Sequence, residues 1–213
     1  MKNNCPKVYS VYNNNSLDQL DYLESRFKTL HIPFYFNEIK LEDDGISSYG
    51  TKNYSELLYK RCFYYFDIIS SLSNNELVIF SDLDVQPFKN YSELVGYMDS
   101  FDLVFMNEFA KNPKTINCGL FLLRKTNLTM DIFSQWKQNS IDRFAKNPNN
   151  YNDQPIMQGL LNSKKRFFKT FDHSIVSRNP NLIYKKSIAY HAIGKPHDKK
   201  IKFMKQSLEN YES

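Results

Sequence analysis

The chain has 213 residues, 41% hydrophobic and 15% aromatic, with 6 Gly and 8 Pro, which excludes a disordered or fibrous protein and allows one sizeable core. Its formal charge of +5 is modest, and its 28 basic residues are scattered apart from a lysine-rich stretch from Lys195 to Lys205. That balance suits a small anionic ligand and not a nucleic acid, which calls for a denser basic stripe and a docking motif.

Lys7 to Tyr12 alternates like a strand and runs into the Asn13-Asn14-Asn15 turn, after which Ser16 is placed to cap a helix from Leu17 to Leu30. Ile32 to Ile39 reads as a second strand, and Asp43-Asp44-Gly45 opens a polar loop. A long helix from Tyr54 to Leu72 leads to Leu77 to Ser81, an apolar run short enough for a buried strand. Leu103 to Met106 and Leu120 to Leu123 are further strand candidates. Leu128 to Trp136 is an amphipathic helix, and Pro155 favours another helix start ahead of Ile156 to Leu161. Phe167 to Phe171 and Ile188 to His191 read as strands, and Lys199 to Tyr211 as a closing helix. Strands alternating with helices predict an α/β fold with a Rossmann-like, mostly parallel central sheet covered on both faces.

No repeat, linker or composition shift divides the chain, so one domain over residues 1–213 is expected. Cys5, Cys62 and Cys118 cannot all pair and match no zinc spacing, which points to a reducing compartment. Met1 to Pro6 has no apolar stretch behind it, and no window reaches the length of a membrane span. A cytoplasmic location is expected.

Asp82 and Asp84 follow the run Leu77-Val78-Ile79-Phe80, at the carboxyl end of a central strand, where open α/β sheets bind ligands. Two residues apart on an extended chain, their carboxylates face one side and suit a hard cation such as Mg2+ or Mn2+. A turn cap for one and a solvated position for the other is the competing reading. On the preceding helix, Leu57, Leu58, Cys62, Tyr65, Ile68, Ile69 and Leu72 form an apolar stripe. At about 100° per residue Arg61 falls roughly 40° from its centre, whereas Lys60 points away. A charge there needs a partner, either a carboxylate such as Asp82 or a donor phosphate. Asp153, just before Pro155, either caps the helix or faces a ligand, and Asn117 either holds a sugar or satisfies loop backbone.

Five segments, in chain order, resemble nucleotide-diphosphosugar transferases with the GT-A fold, especially the retaining enzymes of glycosyltransferase family eight. They are Tyr59-Lys60-Arg61, Phe80-Ser81-Asp82-Leu83-Asp84-Val85, Ile116-Asn117-Cys118-Gly119-Leu120-Phe121-Leu122-Leu123, Asn152-Asp153-Gln154 through Gly159-Leu160, and Tyr190-His191-Ala192-Ile193-Gly194. The chain is also similar to the compact glycosyltransferase domains with which large algal viruses decorate their capsids. The resemblance implies a divalent cation, Mn2+ or Mg2+, held by Asp82, Asp84 and His191. It implies a UDP-sugar donor met by Tyr9, Val11, Tyr12, Arg61, Asp82, Asn117, Gly194 and Lys195. Asp153 and Gln154 are then catalytic, beside the anomeric carbon, with retention of configuration. A glycan or glycoprotein is the implied acceptor.

One departure concerns the lysine. The family's Gly-x-x-Lys-Pro is Gly194-Lys195-Pro196 here, which leaves the diphosphate lysine open between Lys195 and Lys199. His31, His173 and His197 read as ordinary histidines, and Glu108 is the other acidic candidate near the site. Two rival readings remain. A phosphohydrolase of the haloacid-dehalogenase type also carries Asp-x-Asp after an apolar strand, although Val85-Gln86-Pro87 is the wrong continuation. A sugar-nucleotide-binding module without turnover is the other.

Overall fold

The computed structural model describes residues 5–42, 50–99, 101–109, 112–164 and 166–213, with backbone alone for 112–114. The loop expected from Asp43-Asp44-Gly45 lies outside the described residues.

The first strand, β1 (Lys7–Tyr12), buries Val8 on one face and Tyr9 and Val11 on the other. The chain then turns at the asparagine triplet, as expected, but Ser16 does not cap the helix that follows. A 3-10 turn, Asn14–Ser16, precedes α1 (Leu17–Thr29), and the Ser16 hydroxyl accepts from the Asn13 amide at 3.1 Å. Asn13 and Ser16 therefore cap that turn, and α1 has no side-chain cap of its own. β2 (Phe34–Glu38) follows. Next comes α2 (Lys52–Ser71), capped by Thr51, whose hydroxyl accepts from the Tyr54 amide at 3.2 Å. In β3 (Leu77–Ser81), Val78 and Phe80 pack into one layer and Ile79 into the other. That explains the unbroken apolar run: a strand covered on both faces has no polar side to show.

β5 (Leu103–Phe109) and β6 (Asn112–Arg124) form an antiparallel pair, with β4 (Val85–Pro87) and the short α3 (Ser92–Val95) before them. α4 (Asn127–Lys146) runs ten residues past the Trp136 limit read from periodicity. Its second half buries Ser140, which accepts from the Tyr151 hydroxyl at 2.8 Å, a polar contact that hydrophobic spacing does not register. α5 (Gln154–Asn162), β7 (Phe168–Phe171), β8 (Val176–Ser177), β9 (Ala189–His191) and α6 (Lys200–Glu212) complete the order.

The large sheet has six strands in the order β2-β1-β3-β6-β5-β7. Only β6 runs against its neighbours, so the mostly parallel sheet expected from the sequence is present. α2, α4 and α5 cover one face over Phe80, Phe105, Phe121, Phe133 and Trp136. α1 and α3 cover the other over Val8, Ile79 and Leu122. A smaller sheet, β4-β9-β8, lies beneath α1 and α6, with Leu23, Phe88, Tyr190 and Met204 as its core. Among the described residues no helix is long and apolar enough to cross a membrane.

Candidate active site

At the end of β3 the chain leaves the large sheet for the small one. The Val85 amide donates to the Asp82 carbonyl at 3.2 Å, so Asp82-Leu83-Asp84 is a turn and not the extended stretch inferred from the sequence. The turn is pinned on both sides. The Asp82 amide donates to the Gly119 carbonyl on β6 at 2.7 Å, and the Asp84 carbonyl accepts from the Ala192 amide at 2.8 Å. Because Val85 pairs with His191 across β4 and β9, the His191 ring comes to Asp84, with Nε2 3.0 Å from Oδ1. Asp82, Asp84 and His191 each offer a ligand atom within 4.8 Å of the others.

Arg61 faces this cluster, as its position in the apolar stripe of α2 implied. Its Nη1 donates to Asp82 Oδ1 at 2.5 Å, and Nη2 and Nε donate to Asp153 Oδ2 at 2.6 and 3.2 Å. Burial works against the Arg61 charge, and Asp153 and then Asp82 more than offset it, so the guanidinium stays protonated. Asp153 heads α5 without capping it: its carboxylate belongs to Arg61, and Asn152 Oδ1 accepts from the Gln154 amide at 3.1 Å. Asp153 is 1% exposed. Its carboxylate is linked to Asp82 through the Arg61 guanidinium.

β6 carries a bulge where Phe105 pairs with Phe121 but Met106 already pairs with Asn117. The residues between have no partner on β5, and glutamines one turn apart on α5 supply acceptors within and just before the bulge. Gln154 Oε1 accepts from the Cys118 amide at 3.3 Å and Gln158 Oε1 from the Ile116 amide at 2.8 Å. The bulge brings Gly119 under His191. A Cβ there would lie 2.3 Å from the ring's Cε1, so only glycine admits the imidazole. Asn117 Oδ1 accepts from the Gly119 amide at 2.8 Å, and its Nδ2 donates to Glu108 Oε2 at 2.5 Å. Arg178, which the sequence reading passed over, holds the other Glu108 oxygen at 3.2 Å.

The remaining candidates divide. Tyr9 pairs with Phe80, two residues short of Asp82, and its ring stacks on Tyr35 with centroids 5.2 Å apart. Its ring is packed in the core. Val11 is buried and Tyr12 half-buried at the end of β1. Just past them the Asn13–Asn15 turn and residues Glu38, Ile39, Lys40 and Leu41 line a cleft of about 190 Å³. Gly194 has φ +69°, a left-handed turn that suits glycine. Lys195 Nζ sits 4.5 Å from the centre of the Phe203 ring, and Lys199 ends a 3-10 turn. It is Lys200 that meets the carboxylates, its Nζ donating to Asp84 Oδ2 at 2.7 Å. Burial alone would raise the Asp84 carboxyl, but Lys200 and then His191 hold it well below the usual carboxylate range.

This donor set fits a hard divalent ion. Octahedral coordination at about 2.1 Å sets adjacent ligands about 3.0 Å apart, and His191 Nε2 and Asp84 Oδ1 have that separation, 3.0 Å. His191 Nδ1 is buried without a partner among the described residues, so packing on Gly119 helps to orient the ring.

The Arg61 pairing generates a stability prediction. Arg61→Met, which strands Asp153 in the core, is expected to cost about 3–5 kcal/mol in urea unfolding. The double variant with Asp153→Leu should lose less than the two single losses together. A loss below about 1 kcal/mol for Arg61→Met would show that the buried pair is not what holds α2 and α5 to β3.

The family model of nucleotide-diphospho-sugar transferases matches residues 17–208. An uncharacterized protein of Arabidopsis thaliana is 26% identical over 149 residues, 70% of this chain and 42% of that protein, so the chain spans less than half of that relative's length. Solved structures agree on the fold. A glycosyltransferase involved in glycosylation of the major capsid of PBCV-1 matches with TM-score 0.63 at 14% identity, covering 94% of this chain and 98% of its own. Galactosyltransferase LgtC, in complex with donor and acceptor sugar analogs, matches with TM-score 0.60 at 11% identity, covering 94% and 95%. Mouse xyloside xylosyltransferase 1 matches with TM-score 0.54 at 10% identity, covering 89% and 98%. With the GT-A fold and a family match over most of its length, the chain belongs to the nucleotide-diphospho-sugar transferases.

Proposed function

We propose that residues 1–213 form one catalytic domain that transfers a hexose or deoxyhexose from a UDP-sugar to a glycan or protein acceptor, with Mn2+ or Mg2+ and with retention of configuration. The observation that carries this reading is the convergence of Asp82, Asp84 and His191 within 4.8 Å, at the sheet edge where α/β folds present ligands. These three side chains would hold the ion, which would stabilise, as a Lewis acid, the charge growing on the leaving diphosphate. An acceptor on a glycan or protein is supported by the fold relative that takes part in glycosylating a viral capsid.

The base and ribose belong in the cleft beside Asn13–Asn15, next to Val11 and Tyr12 at the end of β1. Arg61 fixes Asp82 by its ion pair, and Asp153 fixes Arg61 in turn; both are positioning residues. Gln154 and Asn117 face the donor sugar, Gln154 held through its Oε1 by the Cys118 amide. A nearby amide oxygen favours the positive charge at the anomeric carbon more in the transition state than in the ground state. Glu108, the alternative base, is held between Asn117 and Arg178; retention rests on the likeness of Asn152-Asp153-Gln154 to the retaining enzymes.

The phosphohydrolase reading is set aside. Its nucleophile would be Asp82, whose Oδ1 is bound to Arg61, and the match to the transferase family spans most of the chain. A binding module without turnover differs in one measurable respect, hydrolysis of the bound donor.

Two outcomes are expected. Calorimetric titration of UDP-sugars should show binding that depends on Mn2+ or Mg2+, is abolished by EDTA, and is lost in Asp84→Asn with the fold retained. Unchanged donor affinity in EDTA or in that variant would remove the metal from the mechanism. NMR of the newly made linkage should show the donor's anomeric configuration. An inverted product would end the retaining assignment and bring Glu108 back as base.

A further inference from the structure

Lys200 is the cation that the sequence reading did not single out. It is the first residue of α6, and its Nζ donates to Asp84 Oδ2 at 2.7 Å while His191 Nε2 meets Oδ1 at 3.0 Å. Both Asp84 oxygens are therefore engaged within a residue that is 5% exposed. A carboxylate this buried needs a positive partner, and Lys200 supplies it. The contact is not one that the lysine gains from its helix. A cation in the first turn is opposed by the helix dipole, so Asp84 is what holds it there.

A divalent ion bound to Asp84 would stand against this ammonium at close range in a site with little water to screen them. The two cations compete for one carboxylate. Lys200 has a way out: its side chain is 24% exposed, and its stem is flexible. It also needs a new anion on leaving. The cluster holds Asp82, Asp84 and Asp153 against Arg61 and Lys200. A divalent ion reverses that one-charge deficit of cations, and a diphosphate arriving with the donor restores it.

We propose that Lys200 is a built-in competitor for the metal, seated on Asp84 until a divalent ion displaces it. The freed ammonium turns to the donor's diphosphate, and metal and nucleotide therefore bind cooperatively. This rests on the metal-dependent reading of Asp82, Asp84 and His191, and adds to it that metal affinity is set by a side chain that is not a ligand.

The test is calorimetric titration of Mn2+, without nucleotide, into the wild-type chain, Lys200→Met, Lys200→Gln and Asp84→Asn. The methionine variant keeps the apolar stem. The glutamine variant keeps a hydrogen-bond donor for Asp84, so one of the two serves if the other fails to fold by circular dichroism. Loss of a charge-assisted hydrogen bond should tighten Mn2+ binding about ten- to a hundredfold in the Lys200 variants. UDP should then strengthen Mn2+ binding less in them than in the wild type, because the coupling through Lys200 is gone. Equal Mn2+ affinity in wild type and Lys200 variants, with Asp84→Asn unable to bind, overturns the competitor and leaves the metal reading standing. Failure of Mn2+ to bind the wild type and the Lys200 variants alike overturns both.

Discussion

A guanidinium buried in the apolar face of a helix has to find its anions, and that requirement organises this site. Arg61 is 5% exposed and shares its donors between Asp82 at the end of β3 and Asp153 at the start of α5. Three elements distant in sequence are thereby tied at one point. The buried ion pair has little claim as a source of net stability, because desolvation consumes much of its Coulombic gain. Its loss is what costs: removing Arg61 strands the Asp153 carboxylate in the core. Asp153 is held further from behind, its backbone carbonyl accepting from Trp136 Nε1 at 3.2 Å.

The second constraint is the change of sheet after β3. A turn across Asp82-Leu83-Asp84 ends the large sheet, and β4 pairs at once with β9, which sets His191 opposite Val85. The side chains of Asp82, Asp84 and His191 converge because two sheets meet, with Gly119 leaving room for the imidazole between them. The same junction explains the chemistry available. Carboxylates and imidazole that are oriented before any ligand arrives lower the cost of stabilising charge when it develops.

Much of this was legible in the sequence, and the limits follow from particular residues. Leu77 to Ser81 announced a buried strand because both its faces are covered, and the 3.6-residue stripe of α2 placed Arg61 toward the carboxylates. What failed were inferences that needed long-range pairing. The Asp82–Asp84 stretch looked extended because only its contacts with β6 and β9 make it a turn. The bulge between Asn117 and Phe121, and the Gln154 side chain that accepts from Cys118 within it, arise from strand pairing that no local pattern encodes. The stacking of Tyr9 on Tyr35 likewise depends on the pairing of β1 with β2, which the sequence of β1 alone does not encode. Lys200 was hidden among lysines, since a 3-10 turn of three residues, His197–Lys199, decides which of them faces Asp84.

The central claim is that Asp82, Asp84 and His191 form the metal site of a UDP-sugar transferase. Anomalous diffraction at the manganese edge, from crystals grown with Mn2+ and UDP, tests it most directly. The account predicts one strong peak in contact with Asp84 and His191, bridged to the diphosphate, with the Lys200 ammonium moved off Asp84. UDP bound without such a peak, and Lys200 still on Asp84 Oδ2, would contradict it.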